Sequence, residues 1–333
     1  MEARAMSRKA VIESVGMAVA ERVMTNSEFE AIVETSDEWI RTRTGISERR
    51  VSSDGETCSY FAAKAAREAL ERASCDPGDV QMVVVATVTG DYIFPATASL
   101  VQDMIGAKNA GAFDVGAACA GFIYSAQVAA SMIESGTIDN ALVIGVDVLT
   151  KFVDWSDRST CILFGDGGGA VLMRAQENTD RGLIATVMNS DGSGAKHIKI
   201  DVGGTLHPSG SESSKNKSCH IFMEGREVYR FAVKAMGESC CSVLNKAGIS
   251  ADEVDLFVPH QANLRIIEAA SQRIGLRPEK VFVNVQKYGN MSAGSIPVAL
   301  YEAEQSGKLK KGGLVLTVGF GAGLVWGANL IRW

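Results

Sequence analysis

An α/β fold of two similar halves is what the sequence predicts, on three observations. Apolar runs of strand length alternate with segments whose apolar residues recur at helical spacing. The order of these segments in residues 1–180 recurs in residues 181–333. The 34 glycines and six prolines are dispersed, so tight connections rather than flexible linkers join the segments.

In the first half, Ala10 to Val15 reads as a strand. Thr25-Asn26-Ser27-Glu28 places a capping residue ahead of an early acid, and a helix then leads to Trp39. Phe61, Ala65, Ala69 and Leu70 put one apolar face on a helix from Tyr60 to Ala73, which Asp76-Pro77-Gly78 ends. Met82 to Ala86 is a buried strand. Phe113 to Phe122 reads as a short strand, a turn of small residues and the first turn of a helix, beginning at Cys119, that continues to Ser135. Ala141 to Val146 and Gly169 to Arg174 are strands, the second entered through the turn Phe164 to Gly168.

The second half repeats the order. A helix from Tyr229 to Ala247 precedes the strand Val254 to Val258, as the Tyr60 helix precedes the Met82 strand. A strand from Val281 to Val285 runs into Gly289-Asn290-Met291-Ser292-Ala293-Gly294 and a helix, echoing the Cys119 stretch. Leu314 to Val318 and Gly323 to Ile331 echo the Ala141 and Gly169 strands. Between the halves, Ser190 to Cys219 has little periodicity and reads as a surface excursion, as compatible with a functional loop as with a solvated connection.

Composition narrows the function. A formal charge of −6 disfavours general nucleic-acid binding, which needs a basic surface. Seven cysteines without regular spacing or a CxxC pair read as reduced thiols of a cytoplasmic protein. No HExxH helix or CxxC pair sets metal-ligand spacing, so no metal is expected. The N-terminal stretch lacks the apolar run of a signal peptide, and no segment is long and apolar enough to span a bilayer.

Three polar residues carry the chemical reading. A cysteine at a helix N-terminus meets unpaired N–H groups and a partial positive charge, which favour the nucleophilic thiolate; equally, free cysteine is a common packing residue. His260 follows the apolar Leu256-Phe257-Val258, at the strand edge where open α/β sheets bind ligands. His197, His207 and His220 lie in the irregular segment. Asn290 sits in the turn that repeats the Cys119 turn, so the duplication brings Cys119, His260 and Asn290 together. Gly319-Phe320-Gly321-Ala322-Gly323 offers backbone N–H groups to an oxyanion, or simply a tight turn. It is not a dinucleotide fingerprint, because the spacing is not GxGxxG and too little chain follows.

The chain resembles the β-ketoacyl-acyl-carrier-protein synthase III family, initiating condensing enzymes of bacterial fatty-acid synthesis with the thiolase fold. The resemblance covers nearly the whole chain. It rests on Thr35 to Ile40 with Thr42-Arg43-Thr44-Gly45-Ile46, on Phe113 to Phe122, Phe164 to Gly167 and Pro259 to Ile267, and on Gly289 to Ala293. It implies a five-layered αβαβα arrangement, a catalytic set of Cys119, His260 and Asn290, and no cofactor. Backbone N–H groups of Cys119 and Ala322 would meet the oxyanion. Trp39, Arg43, Arg158 and Asn263 would bind CoA. Arg265 matches the family's carrier-protein contact, and Arg273 and Arg277 recur at helical spacing after it. Phe94 would reach from the neighbouring subunit of a homodimer to close the acyl pocket.

Asparagine as the third member separates the chain from thiolases and elongating synthases, which resemble one another in using two histidines. Ala20, Gly168 and Ala322 stand where the family often has proline, alanine and glycine, and none of them removes a reacting side chain. The implied reaction joins a short acyl-CoA to malonyl-acyl-carrier protein. A secondary-metabolite acyltransferase and a catalytically silent acyl-CoA-binding protein are the alternatives.

Overall fold

The computed structural model describes residues 8–333. Strand β1 (Arg8–Val19) leads to a ribbon of β2 (Val23–Thr25) and β3 (Glu48–Arg50), which encloses the short helices α1 (Asn26–Glu30) and α2 (Asp37–Thr44). There follow α3 (Cys58–Arg72), β4 (Met82–Ala86), α4 (Thr97–Ile105), β5 (Gly111–Val115), α5 (Gly121–Glu134), β6 (Asn140–Val148), the single-turn α6 (Arg158–Cys161) and β7 (Asp166–Glu177). The rest of the chain forms β8 (Gly182–Ser190), the two-residue β9 (Ile198–Lys199) and β10 (Phe222–Met223), and α7 (Gly225–Ala247). It ends with β11 (Leu256–Pro259), α8 (Leu264–Arg273), α9 (Val285–Tyr288), α10 (Ser295–Gln305), β12 (Leu314–Gly321) and β13 (Val325–Arg332).

Two sheets share one order and one set of strand directions. In the first, β1-β7-β6-β4-β5, the pairs β1/β7 and β7/β6 are antiparallel and β6/β4 and β4/β5 parallel. In the second, β8-β13-β12-β11, the pairs β8/β13 and β13/β12 are antiparallel and β12/β11 parallel. The place of a fifth strand is taken by one parallel bridge, Phe257 to Val281.

Three apolar clusters make the layers. Phe61, Ala65 and Ala69 of α3 and Val101 of α4 pack on one face of the first sheet. Phe122, Ala126 and Ile133 of α5 with Ile296 and Leu300 of α10 fill the space between Val143 and Val171 of the first sheet and Val258 and Val315 of the second. Met236 and Val243 of α7 and Ile266 of α8 cover Phe257 and Leu316 on the far face of the second sheet. The result is α, β, α, β, α: five layers, the central helices buried on both sides. Close approach has a sequence cause at Gly16, where a Cβ would lie 2.3 Å from the Ala65 carbonyl of α3.

The structure corrects several expectations. The strand expected over Val281–Val285 is only the bridge at Val281. Beyond it the Asn284 and Val285 N–H groups donate to the Gln261 side-chain oxygen, at 2.9 and 3.2 Å, and the chain turns into α9. The helix expected from Thr25 to Trp39 is two helices. A capping box of Thr25 and Glu28 starts α1, and Ser36 Oγ accepts from the Trp39 N–H to start α2. The β13 strand begins at Val325 rather than Gly323. Strand β8 and helix α4 had no forecast: β8 does not alternate along its length, and α4 starts without a side-chain cap. The Ser190–Cys219 stretch holds two short 3-10 turns and β9, which pairs with β10 beyond it.

Candidate active site

Two turns of the same shape meet between the sheets. After β5 the chain passes through Ala118 at φ +44° into a 3-10 turn, Ala118–Ala120, and then α5; after α9 it passes through Ser292 at φ +47° into Ser292–Gly294 and then α10. A non-glycine residue held there is strained, a condition concentrated at functional sites. The first turn carries Cys119 and the second follows directly on Asn290.

Cys119 precedes α5 by two residues. The lowered pKa expected from the helix N-terminus is not found, because burial outweighs it. Burial pushes the thiol up to about 12; the Ser292 hydroxyl pulls it back and the Asp147 carboxylate adds to the rise. The end of β12 lies against the same backbone. A Cβ on Gly321 would stand 2.6 Å from the Cys119 nitrogen, so only glycine lets β12 approach the turn. Ala322 comes next, in the turn joining β12 to β13.

His260 follows β11, and its N–H continues the ladder to the Val318 carbonyl at 2.7 Å. The ring is buried, stands edge to face with Phe320 and places Nδ1 2.6 Å from Ser295 Oγ, the first residue of α10. Its Nε2 has no partner. Burial lowers its pKa to about 3, so the imidazole is neutral at physiological pH.

Asn290 is fixed through its backbone, donating to Leu163 O at 2.8 Å and accepting from Gly165 N–H at 3.0 Å. Its Oδ1 accepts from the Ser292 N–H at 2.8 Å, which turns the amide NH2 group away from that turn.

Cys119, His260, Asn290, Phe320 and Gly321 line one cavity of about 550 Å³. A concavity of similar size beside α3, lined by Arg67, Glu71 and Cys75, holds none of these groups, so size alone does not mark the site. Trp39, Arg43, Arg158, Asn263 and Arg265 line the same cavity as Cys119. The Arg158 and Arg43 guanidinium carbons stand 4.7 and 5.9 Å from the Trp39 ring centroid. Asn263 caps α8, accepting from the Arg265 N–H at 2.9 Å, and its Nδ2 donates to the Arg43 carbonyl at 3.1 Å. The fully buried Arg49 ties this region together, donating to Met24 O, Asn26 Oδ1 and Ile162 O.

Of the predicted residues, Ala322, Arg273, Arg277 and Phe94 are not among those lining the cavity. Arg273 packs its stem on Gly237 and pairs with Glu238 at 3.6 Å. Phe94 is 84% exposed on the loop after β4, beside the exposed Tyr92 and Ile93. Sequence reasoning missed Ser295, Phe320 and Arg226, which all face this site or its lining. Arg226 gives the nearest thing to a signal, as a cation directly after Gly225, the first residue of α7. Among the described residues no group of three or more His, Cys, Asp or Glu is placed to hold a metal, and no helix is long and apolar enough to cross a membrane.

The family model described as 3-oxoacyl-[acyl-carrier-protein (ACP)] synthase III matches residues 113–192, and its C-terminal counterpart matches residues 244–333. The β-ketoacyl-[acyl-carrier-protein] synthase III of Symbiobacterium thermophilum is 49% identical over 322 residues, 97% of each chain. The crystal structure of 3-oxoacyl-[acyl-carrier-protein] synthase III from Aquifex aeolicus superposes with a TM-score of 0.90 at 46% identity, covering 97% of this chain and 100% of that one. The priming β-ketosynthase of the R1128 polyketide pathway also reaches 0.90, at 33% identity, covering 99% of this chain and 98% of that one.

Proposed function

Since the chain belongs to the 3-oxoacyl-[acyl-carrier-protein] synthase III family, and is thus a condensing acyltransferase that initiates fatty-acid synthesis, we propose that it joins acetyl-CoA or another short acyl-CoA to malonyl-acyl-carrier protein through an acyl-Cys119 intermediate. The observation that carries this reading is the meeting of Cys119, His260 and Asn290 in one cavity.

In the first stage Cys119 sulfur attacks the thioester carbonyl, the bond to CoA sulfur breaks, and the thiol proton leaves with CoA. The Cys119 and Ala322 N–H groups stabilise the tetrahedral oxyanion; one such donor contributes about 3 kcal/mol. In the second stage malonyl-acyl-carrier protein loses CO₂. The electron pair left behind forms an enolate that attacks the acyl-Cys119 carbonyl, and the expelled sulfur regains a proton. His260 and Asn290 hold the enolate oxygen. The Gln261 N–H donates to Ser295 Oγ at 3.3 Å, so the Ser295 hydrogen is left for His260 Nδ1, which keeps the proton of the neutral ring on Nε2. The Asn290 amide offers the second donor.

For CoA, Trp39 and Arg158 form the base clamp. A flat base seated between them separates the two by about 7 Å, so Arg158 swings outward from its 4.7 Å position as the nucleotide enters. Arg43, Arg226 and Asn263 then meet phosphate and sugar, and Arg265 at the cavity receives the acidic carrier protein. The exposed Tyr92-Ile93-Phe94 loop is the surface on which a second copy packs to form a homodimer. The halves 1–180 and 181–333 are a duplication, for which the matching sheet orders speak. The use of CoA thioesters as substrates supports a cytoplasmic location.

The likeness to a priming polyketide synthase favours one second reading, the same chemistry with a secondary-metabolite starter. The test is incubation with labelled acetyl-CoA followed by malonyl-carrier protein, with peptide and product masses read. Acetyl on Cys119 and then acetoacetyl-carrier protein are expected. No label on Cys119 sinks the acyl-enzyme mechanism, and label without condensation leaves an acyltransferase.

A further inference from the structure

One fully buried cation takes no part in the chemistry above. Arg49 lies on β3, and burial lowers its pKa to about 10, so it stays charged at neutral pH. The atoms that accept from it among the described residues are all neutral. Met24 O and Asn26 Oδ1 stand 3.1 and 2.9 Å from Nη1, and Ile162 O stands 2.7 Å from Nη2. The guanidinium carbon lies 4.4 Å from the Phe29 ring centroid, a cation–π contact that offsets part of the missing counter-charge. A buried charge held without a carboxylate costs stability. What it gives in return is geometry, because the guanidinium is a rigid planar fork of donors.

The two sides of the fork lead to the two arms of the base clamp. With its Oδ1 held by Arg49, Asn26 donates from Nδ2 to Asp37 Oδ1 at 2.9 Å and to Ile46 O at 2.8 Å. Asp37 is the first residue of α2, and Ile46 lies two residues beyond its last, so Asn26 grips both ends of the helix that carries Trp39 and Arg43. On the other side, Ile162 is the C-terminal cap of α6, whose first residue is Arg158. The Arg158 guanidinium faces the Trp39 ring across 4.7 Å.

We propose that Arg49 is a positioning residue for nucleotide recognition: its guanidinium sets Trp39 against Arg158 by tying α2, through Asn26, and α6, through Ile162, to one rigid plane. This rests on the reading of Trp39 and Arg158 as the arms that take the CoA base. With Ile162 fixed, the Arg158 side chain swings outward while its backbone stays in place, so the gap opens to the thickness of a base and no further. Lysine does not replace this residue. It is a point donor on a flexible stem and does not hold Ile162 O and the Met24–Asn26 side together.

The experiment compares acylation of Cys119 by acetyl-CoA and by acetyl-pantetheine, which carries the same thioester and no nucleotide, in wild type, Arg49→Lys, Asp37→Ala and Trp39→Ala. Arg49→Lys keeps the charge and the stem beside Gly165 and Gly289, where an added Cβ would stand 3.4 and 3.1 Å from Arg49 Cβ. Loss of a hydrogen bond to a charged group weakens binding about tenfold. The KM for acetyl-CoA therefore rises about tenfold in Arg49→Lys, while KM and kcat for acetyl-pantetheine keep their wild-type values. Asp37→Ala cuts the relay at its half-exposed end and raises the acetyl-CoA KM in the same selective way; the exposed pair of Asp37 with Arg41 counts for little. A merely structural role lowers the fraction of active enzyme, so that kcat falls for both thioesters and neither KM moves. That outcome, or an unchanged acetyl-CoA KM, overturns the proposal. If Arg49→Lys does not fold, Asp37→Ala decides by the same two results. Trp39→Ala with the acetyl-CoA KM of wild type fails the nucleotide reading instead, and amide hydrogen exchange then decides for Arg49. Faster exchange in Arg49→Lys confined to residues 37–46 and 158–163 supports the tie between the two segments, and unchanged or generally faster exchange overturns it.

Discussion

The Nδ1 atom of His260 lies 2.6 Å from the Ser295 hydroxyl, and this contact reaches from the end of a strand to the first turn of the helix that follows the Asn290 turn. It ties His260 to the segment that carries Asn290, and these two residues are proposed to act on the same oxygen. Ser295→Ala leaves Nδ1 unpaired and the ring free to change tautomer. A lost buried hydrogen bond of about 1–3 kcal/mol corresponds to a fall in rate of about 5- to 150-fold. We expect that fall in decarboxylative condensation, with acetylation of Cys119 far less affected. Asn290→Ala shows the same split more strongly, because it removes a donor outright. Single-turnover measurement of each half-reaction checks both, and equal losses in the two stages would contradict the assignment.

The pH behaviour of His260 follows from its burial. Its folded pKa is about 3 against an ordinary value of 6.5, so the unfolded chain binds the extra proton between these values. Stability from this group is complete above about pH 6.5 and declines as pH falls toward 3. At pH 5 the loss is about 2 kcal/mol relative to pH 7. Urea unfolding of wild type and His260→Gln at the two pH values isolates it: the wild type loses that much more than the variant. For the same reason the condensation rate shows no acidic limb near pH 6.5, and a limb there would mean that the imidazole is solvated.

Arg265→Glu raises KM for malonyl-carrier protein and leaves acetyl-CoA transfer nearly unchanged. The guanidinium lines the cavity with its carbon 5.7 Å from the Tyr229 ring, while Arg273 is already engaged by Glu238. Arg273→Glu therefore has the smaller effect. Exposed charge pairs are screened within about 10 Å at 0.1 M salt, so the Arg265 defect shrinks as salt is added. A salt-independent defect counts against docking.

How much of this was legible in the sequence depended on whether a residue's role is local. Met82–Ala86 was placed to the residue, since a run of Val between turn residues has one reading. The strand at Val281–Val285 failed because what shortens it is the Gln261 side chain, twenty residues upstream and invisible to periodicity. Cys119, His260 and Asn290 stand out as rare polar residues in apolar or glycine-rich stretches. Asp147 does not: in Val146-Asp147-Val148 it reads as the solvent-facing position of a half-buried strand, whereas β6 is buried along its whole length. The Cys119 pKa was misjudged for a related reason. The helix N-terminus is local and can be read from sequence, but the burial that overrides it comes from β12 and the Ser292–Gly294 turn, both distant in the chain.

Phe94 gives the last prediction, and it concerns the starter acyl group. In the single chain its ring is 84% exposed, with Tyr92 and Ile93 exposed beside it, on a loop whose base Asp147 ties to the Asn290 turn. Three adjacent large apolar side chains in water are costly, and a second copy of the chain covers them in the proposed dimer. In that dimer the ring of one subunit is proposed to close the far end of the other's acyl pocket. Each further methylene seated in an apolar pocket contributes only about 0.8 kcal/mol, whereas forcing atoms into filled space costs about 1–3 kcal/mol. Blocking therefore prevails, and the bulky ring favours acetyl or propionyl. Phe94→Thr should shift preference toward longer chains without abolishing acetyl transfer. The check is kcat/KM for acetyl-, butyryl-, octanoyl- and lauroyl-CoA in both proteins, together with their sedimentation. A dimeric variant with the wild-type ranking would assign pocket depth to another residue, and a monomeric wild type would remove the ring from the pocket altogether.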